Sequence, residues 1–105
     1  MHILDKLNEV IGTRANESVD TSYTASLLAK GIEKCAQKLG EEAVELVIGA
    51  VTKNRDEIVA ESADLLYHWL VLLKSCGVKP DEVYAKLAER QNISGLEEKA
   101  SRTQK

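Results

Sequence analysis

Two pairs of acidic residues have the spacing of neighbours on one side of a helix. Glu42 and Glu45 form the first pair, Glu61 and Asp64 form the second, and the members of each pair are three residues apart. Residues with this spacing project from the same side of a helix. Two facing pairs would gather four carboxylates, the oxygen-rich environment that suits Mg²⁺. The spacing therefore predicts these four residues as magnesium ligands.

Apolar residues surround both pairs. Segment 39–52 leaves only a narrow sector of its helix free of apolar residues, and that sector holds Glu41, Glu42 and Glu45. Segment 56–75 repeats the arrangement. Helices this apolar must be covered on several sides, so we expect the acids to face a crevice or a second subunit. There the acids would repel one another and lose hydration unless a cation neutralised them. The alternative is that they form the solvated faces of two amphipathic helices.

A di-iron helical bundle also uses helical carboxylates, but it takes Glu-x-x-His pairs from two helices. This sequence offers Glu-x-x-Glu and Glu-x-x-Asp instead, with His68 as the histidine nearby. The pattern therefore favours Mg²⁺. His68 follows Asp64 by four residues, so we expect it to hydrogen-bond to Asp64 or to serve the structure rather than to act directly in catalysis.

Lysines recur every four residues along the predicted second helix, at Lys30, Lys34 and Lys38. If that helix continues through Gly40, Glu41 and Glu45 extend the same line. Phosphoryl transfer needs both signs of charge in one pocket, so the lysines are candidates for binding phosphates. The alternative is that they are solvated, with Lys38 paired to Glu42 at the i,i+4 spacing.

No strand pattern is present, and apolar positions recur at spacings of three and four. We therefore expect an all-α fold with four helices, over residues 2–14, 23–53, 56–75 and from Pro80 onward. Gly31 and Gly40 each weaken the second helix by about 1 kcal/mol relative to alanine, so we expect a kink near one of them or a break at Gly40. Asn54 is a candidate cap for the third helix, and Gly77 is the residue type favoured just past its end.

Length and composition limit the class of protein. A chain of 105 residues suits one domain over residues 1–105, and dimerisation would bury more of its apolar surface. The net charge of -3 argues against nucleic-acid binding driven by overall charge. No apolar run approaches the roughly 20 residues that a membrane span needs, and no secretion signal is visible. We expect a soluble, cytoplasmic protein.

The two acid pairs on consecutive helices are similar to the signature of the MazG-like, all-α nucleoside-triphosphate pyrophosphohydrolases. Within that superfamily the chain resembles the phosphoribosyl-ATP pyrophosphohydrolases, and longer runs narrow the match. These runs are SYTASLL (22–28), KGIEKCAQKLGEEAVE (30–45), ESADLLYH (61–68) and SGLEEKASR (94–102).

The resemblance implies Mg²⁺-dependent hydrolysis of 1-(5-phospho-β-D-ribosyl)-ATP to the AMP derivative and pyrophosphate, the second step of histidine biosynthesis. It also implies a helical homodimer with its sites near the subunit interface. In many organisms the cyclohydrolase that catalyses the next step is fused to this enzyme, but 105 residues leave no room for it, so we expect the stand-alone form. Water oriented by Glu41 would attack one phosphorus in line. Lys99 and Arg102 are candidates for binding the extra ribose phosphate, and Tyr23 for contacting the base or ribose.

Two other functions compete with this interpretation. One is a house-cleaning hydrolase of the same fold that acts on ordinary or damaged nucleoside triphosphates, against which the SGLEEKASR tail argues. The other is a non-catalytic helical dimerisation module whose acids are merely solvated. Magnesium-dependent release of pyrophosphate would distinguish the module from either enzyme.

Overall fold

A computed structural model describes residues 2–91, and all of their regular structure is helical. Five helices follow one another: α1 (Ile3–Arg14), α2 (Tyr23–Lys30), α3 (Ile32–Val51), α4 (Arg55–Cys76) and α5 (Pro80–Arg90). The prediction of an all-α fold is confirmed. Within residues 2–91, no helix is long and apolar enough to cross a membrane.

The chain has five helices instead of the predicted four, because the second one divides at Gly31, one of the two glycines near which a kink was expected. Gly31 has φ +91°, a backbone conformation that side-chain-bearing residues rarely adopt. Leu27 and Cys35, on either side of this glycine, are both buried, and the Cys35 thiol donates to the Leu27 carbonyl over 3.4 Å. In a continuous helix, positions eight residues apart would be separated by about 12 Å. The chain must therefore turn between them for the Cys35 thiol to reach the Leu27 carbonyl.

The predicted break at Gly40 does not occur, and α3 runs through this residue without interruption. A glycine inside a helix costs only about 1 kcal/mol relative to alanine. The packing of α3 along α4 offsets that cost.

Helices α3 and α4 form an antiparallel hairpin, which positions the acid pairs. Asn54 caps α4 as predicted, since its side chain accepts from the Glu57 amide at 3.2 Å. The helices approach closely near the turn, where a Cβ added to the buried Gly49 would lie 3.4 Å from the Glu57 Cβ. At the other end, α4 stops before Gly77 in the left-handed conformation (φ 72°), and Pro80 opens α5, both as predicted.

The core lies toward the C-terminal half of α4, where α1 and α2 pack against it. Its fully buried members come from four helices: Ile11, Leu27, Cys35, Leu70 and Val71. By contrast, the hairpin near its turn has large exposed apolar side chains: Val44, Val47, Ile48, Val51 and Val59. The apolar excess that the sequence indicated is therefore on the surface of the single chain.

Candidate active site

Three acidic side chains meet between α3 and α4. Glu42, Glu45 and Glu61 each direct one carboxylate oxygen into a group whose members all lie within 4.8 Å of one another. We call these three residues the acid cluster. The hairpin brings them together because Glu42 and Glu45 are one turn apart on α3 and Glu61 lies opposite on α4.

The acid cluster holds more negative charge than the described side chains neutralise. The Oε2 atoms of Glu42 and Glu61 are buried without a hydrogen-bond partner. When Glu61 carries a proton it can donate a hydrogen bond to Glu42 or to Glu45, and this effect, followed by desolvation and repulsion from both carboxylates, raises the pKa of Glu61 to about 7. A proton can thus relieve the repulsion, and a divalent cation would relieve it more completely.

Glu41 lies beside the acid cluster on α3, and both of its oxygens are engaged. Gln37 donates to its Oε1 at 2.9 Å, and Lys38 donates to its Oε2 at 3.0 Å. These two hydrogen bonds lower the pKa of Glu41, and the charge of Lys38 adds to the effect. The expected alternative pairing of Lys38 with Glu42 is not the one observed.

His68 borders the acid cluster on α4 and is only 5% exposed. Its Nε2 lies 4.0 Å from Glu42 Oε1. Among the described residues, the hydrogen bond to Asp64 that the sequence suggested is not formed. Burial lowers the pKa of His68, against an opposing effect of the Glu42 charge. The imidazole is therefore mostly neutral near pH 7.

Two tyrosines flank His68 and extend the site toward α2. The rings of Tyr23 and Tyr67 are stacked with centroids 6.3 Å apart, and each meets the imidazole edge-on. Thr24 Oγ1 and the Tyr67 hydroxyl are 2.5 Å apart, a hydrogen bond that ties α2 to α4. Beside these rings lies a cleft of about 570 Å³, which Arg14 also lines. The cleft therefore lies beside the two tyrosines that flank His68.

Comparison with known proteins identifies the family to which these elements belong. A family model described as phosphoribosyl-ATP pyrophosphohydrolase matches residues 4–91. The chain belongs to this family. A phosphoribosyl-ATP pyrophosphatase of Parvibaculum lavamentivorans is 58% identical over 94% of this chain and 91% of its own length. One from Paramagnetospirillum magneticum is 53% identical over 98% of this chain and 94% of its own length.

The match confirms the predicted resemblance and the prediction of a hydrolase. The structure brings together three of the four residues that were predicted to bind magnesium. Asp64 lies one turn beyond Glu61 on α4, is exposed, and is not part of the 4.8 Å group. Its charge does reach His68, since it partly opposes the lowering of the His68 pKa by burial.

The predicted line of lysines is only partly formed in this family member. Lys34 and Lys38 are half-buried on α3, the continuous helix that also bears Glu41 and Glu45, so this part of the line is as expected. Lys30 ends α2 on the other side of the turn at Gly31, so its spacing no longer places it in line. Lys99 and Arg102 lie outside the described residues.

Two residues of the site, Gln37 and Tyr67, were not predicted from the sequence. Gln37 holds Glu41, and the signal for it was present, because a Gln and an acid four residues apart are neighbours on a helix. Tyr67 takes part through its ring and hydroxyl, but its position on α4 reads as an ordinary partly buried aromatic. Only the placement of α2 against α4 gives it a role.

Proposed function

We propose that this chain hydrolyses 1-(5-phospho-β-D-ribosyl)-ATP to the corresponding AMP derivative and pyrophosphate, in the second step of histidine biosynthesis. The observation that carries the proposal is the acid cluster of Glu42, Glu45 and Glu61, in a chain that the family matches from residue 4 to residue 91. A cytoplasmic location is part of the proposal, as expected for a biosynthetic hydrolase.

The acid cluster suits Mg²⁺ in its donor chemistry and in its unmet charge. Carboxylate oxygens are the ligands that Mg²⁺ prefers, and two of them are buried here without a partner. We assign Glu42, Glu45 and Glu61 as ligands, with Asp64 as the fourth. When bound, the metal supplies Lewis-acid catalysis and compensates the charge of the triphosphate.

The residues of α3 next to the acid cluster bind the phosphates and orient the attacking water. Lys34 and Lys38 bring positive charge to the same helix as the acids, and Lys30, the last residue of α2, is the third candidate for binding phosphate. Glu41 orients the attacking water. Gln37 and Lys38 fix both of its oxygens, while each oxygen keeps a further lone pair to accept from water.

The cleft beside Tyr23 suits the nucleoside end of the substrate. Tyr23 is 56% exposed, so one face of its ring is open to a base or ribose, and Arg14 and Glu17 bring charges of both signs to the same cleft. Lys99 and Arg102 in the tail are proposed to bind the additional ribose phosphate. Removing the residues after Asn92 would then reduce turnover of phosphoribosyl-ATP more than turnover of ATP.

We also propose that the active protein is a homodimer with its sites near the subunit interface. The exposed valines and isoleucine of the α3–α4 hairpin support this, because they continue from the acid cluster toward the turn. A second copy would cover them and enclose the acids between subunits.

Pyrophosphate release from phosphoribosyl-ATP, measured against a panel of nucleoside triphosphates in Mg²⁺, tests the activity. We expect a preference of at least about tenfold for phosphoribosyl-ATP, equivalent to about 1.4 kcal/mol. Equal turnover of ordinary nucleoside triphosphates would instead support a house-cleaning hydrolase. If no nucleotide in the panel releases pyrophosphate, the chain is better explained as a non-catalytic dimerisation module.

Substitutions that keep size and remove charge test the ligand assignment. Glu45→Gln and Asp64→Asn should each lose most turnover. Glu33→Gln, on an exposed residue of the first turn of α3, is the matched control and should keep it. If Glu45→Gln or Asp64→Asn keeps near-normal turnover with its helical content intact, that residue is not a metal ligand.

A further inference from the structure

His68 is a buried polar residue whose orientation is fixed by its neighbours. Its ring meets Tyr67 edge-on at 5.0 Å and Tyr23 edge-on at 6.1 Å. Two aromatic rings at nearly right angles to the imidazole limit its rotation, so its two nitrogens have defined directions. Nδ1 is buried without a hydrogen-bond partner, which leaves Nε2 as the nitrogen with a polar neighbour.

That neighbour is Glu42, one member of the acid cluster. Nε2 of His68 lies 4.0 Å from Glu42 Oε1, and both side chains are largely buried, with exposures of 6% and 13%. The other oxygen of Glu42, Oε2, is buried without a partner. One carboxylate oxygen thus faces the histidine while the other is available to a cation.

The separation of 4.0 Å exceeds a hydrogen bond, and contacts of this kind in an unliganded site often tighten when the site is loaded. A carboxylate that is held through one oxygen presents the other to a metal with less loss of side-chain freedom. The alternative donor on α3, Lys38, is already bonded to Glu41. His68 is therefore the group placed to orient Glu42.

We propose that His68 is a positioning residue for the metal site, whose Nε2–H donates a hydrogen bond to Glu42 Oε1 in the Mg²⁺-loaded protein and turns Oε2 toward the cation. This inference rests on the proposed Mg²⁺ site. In this role His68 contacts neither the substrate nor the reacting atoms. It affects Mg²⁺ binding only by orienting Glu42.

Two amide substitutions separate the nitrogens of the ring. His68→Gln places an N–H near the position of Nε2, whereas His68→Asn places one near that of Nδ1. In calorimetric titrations of Mg²⁺ without nucleotide, we expect His68→Asn to weaken binding about 10- to 100-fold. His68→Gln should bind close to the wild-type affinity. In kinetic assays His68→Asn should need more Mg²⁺ and recover most of its kcat when the metal is saturating.

A role in packing alone predicts a different result, because both variants would then lower the melting temperature without separating in Mg²⁺ affinity. Equal Mg²⁺ binding by folded His68→Asn and wild type would overturn the proposal. Nitrogen NMR of wild-type histidine gives a second measurement that needs no variant. We expect Nε2 to carry the hydrogen in the Mg²⁺-loaded protein, and a hydrogen on Nδ1 alone would also overturn the proposal. If the wild type binds no Mg²⁺, the metal site of the proposed function fails first.

Discussion

A carboxylate oxygen of Glu61 on α4 lies within 4.8 Å of a carboxylate oxygen of Glu42 on α3. The hydrogen bond that protonated Glu61 can donate to Glu42 is the main reason that the pKa of Glu61 rises to about 7. The ordinary value for this carboxyl is 4.5. Below both values the residue is protonated in the folded and unfolded chains alike. Between them, the folded chain holds a proton that the unfolded chain has lost.

The metal-free protein should therefore lose stability as the pH rises from about 4.5 through about 7, because of Glu61. Glu61→Gln removes the charge and keeps the shape. In EDTA we expect this variant to melt at nearly the same temperature as the wild type near pH 5, and at a higher temperature near pH 8. Thermal unfolding followed by circular dichroism at both pH values measures the difference.

Glu33→Gln is the control for the pH series, since it removes a carboxylate from an exposed part of α3. It should show no comparable gain near pH 8. Addition of Mg²⁺ should raise the melting temperature of the wild type more than that of Glu61→Gln. A Glu61→Gln protein less stable than the wild type at both pH values would contradict the repulsion within the acid cluster.

Gln37→Ala should lower turnover without unfolding the protein. Gln37 is the largest cause of the lowered pKa of Glu41, so its loss frees one Glu41 oxygen and raises that pKa. Because Glu41 would then hold the attacking water less firmly, we expect a loss of about fivefold in kcat. Steady-state kinetics and a melting curve measure the two effects separately.

Gln37→Met distinguishes the hydrogen bond from packing, because it keeps the length of the side chain and lacks the N–H. It should lose as much turnover as Gln37→Ala, while the melting temperature of both variants stays close to that of the wild type. Full activity in the methionine variant would mean that Glu41 does not depend on Gln37.

Much of the hairpin and its acids could be predicted from sequence because the signals are local. Asn54, Gly77 and Pro80 act on the backbone within a turn of where they stand, and the three-residue spacing of the acids needs only a helix. The pairing of Glu61 with Glu42 and Glu45 follows from the hairpin, since a short connection makes α3 and α4 antiparallel neighbours.

The turn at Gly31 could not be predicted in this way because its cause is tertiary. Gly31 and Gly40 look alike in sequence, and either is tolerated in a helix at a cost of about 1 kcal/mol. The chain turns at Gly31 because Leu27 and Cys35 pack into one core with the Cys35 thiol against the Leu27 carbonyl. The neighbour of His68 was predicted wrongly for the same reason, since Glu42 is on another helix and Asp64 is on the same helix as His68.

The two glycines give a matched pair of stability predictions. Gly40→Ala should stabilise the protein by about 1 kcal/mol, because the residue is helical and exposed and an added Cβ meets nothing within 4 Å. Gly31→Ala also meets nothing within 4 Å, yet its φ of +91° should make the substitution destabilising, by about 1–3 kcal/mol. Urea unfolding measures both changes. If Gly31→Ala stabilises the protein, α2 and α3 form one continuous helix in solution.

Val47→Asp should convert the proposed homodimer into a folded monomer with little activity. Val47 is 60% exposed on α3, between the acid cluster and the turn, and a buried unpaired carboxylate there would oppose association. Leu87→Asp is the matched control, since Leu87 is 57% exposed but lies on α5, away from the hairpin. Size-exclusion chromatography with light scattering should give a monomer for Val47→Asp and a dimer for Leu87→Asp, with pyrophosphate release retained only in the second. A Val47→Asp protein that stays dimeric and active would place the subunit interface elsewhere.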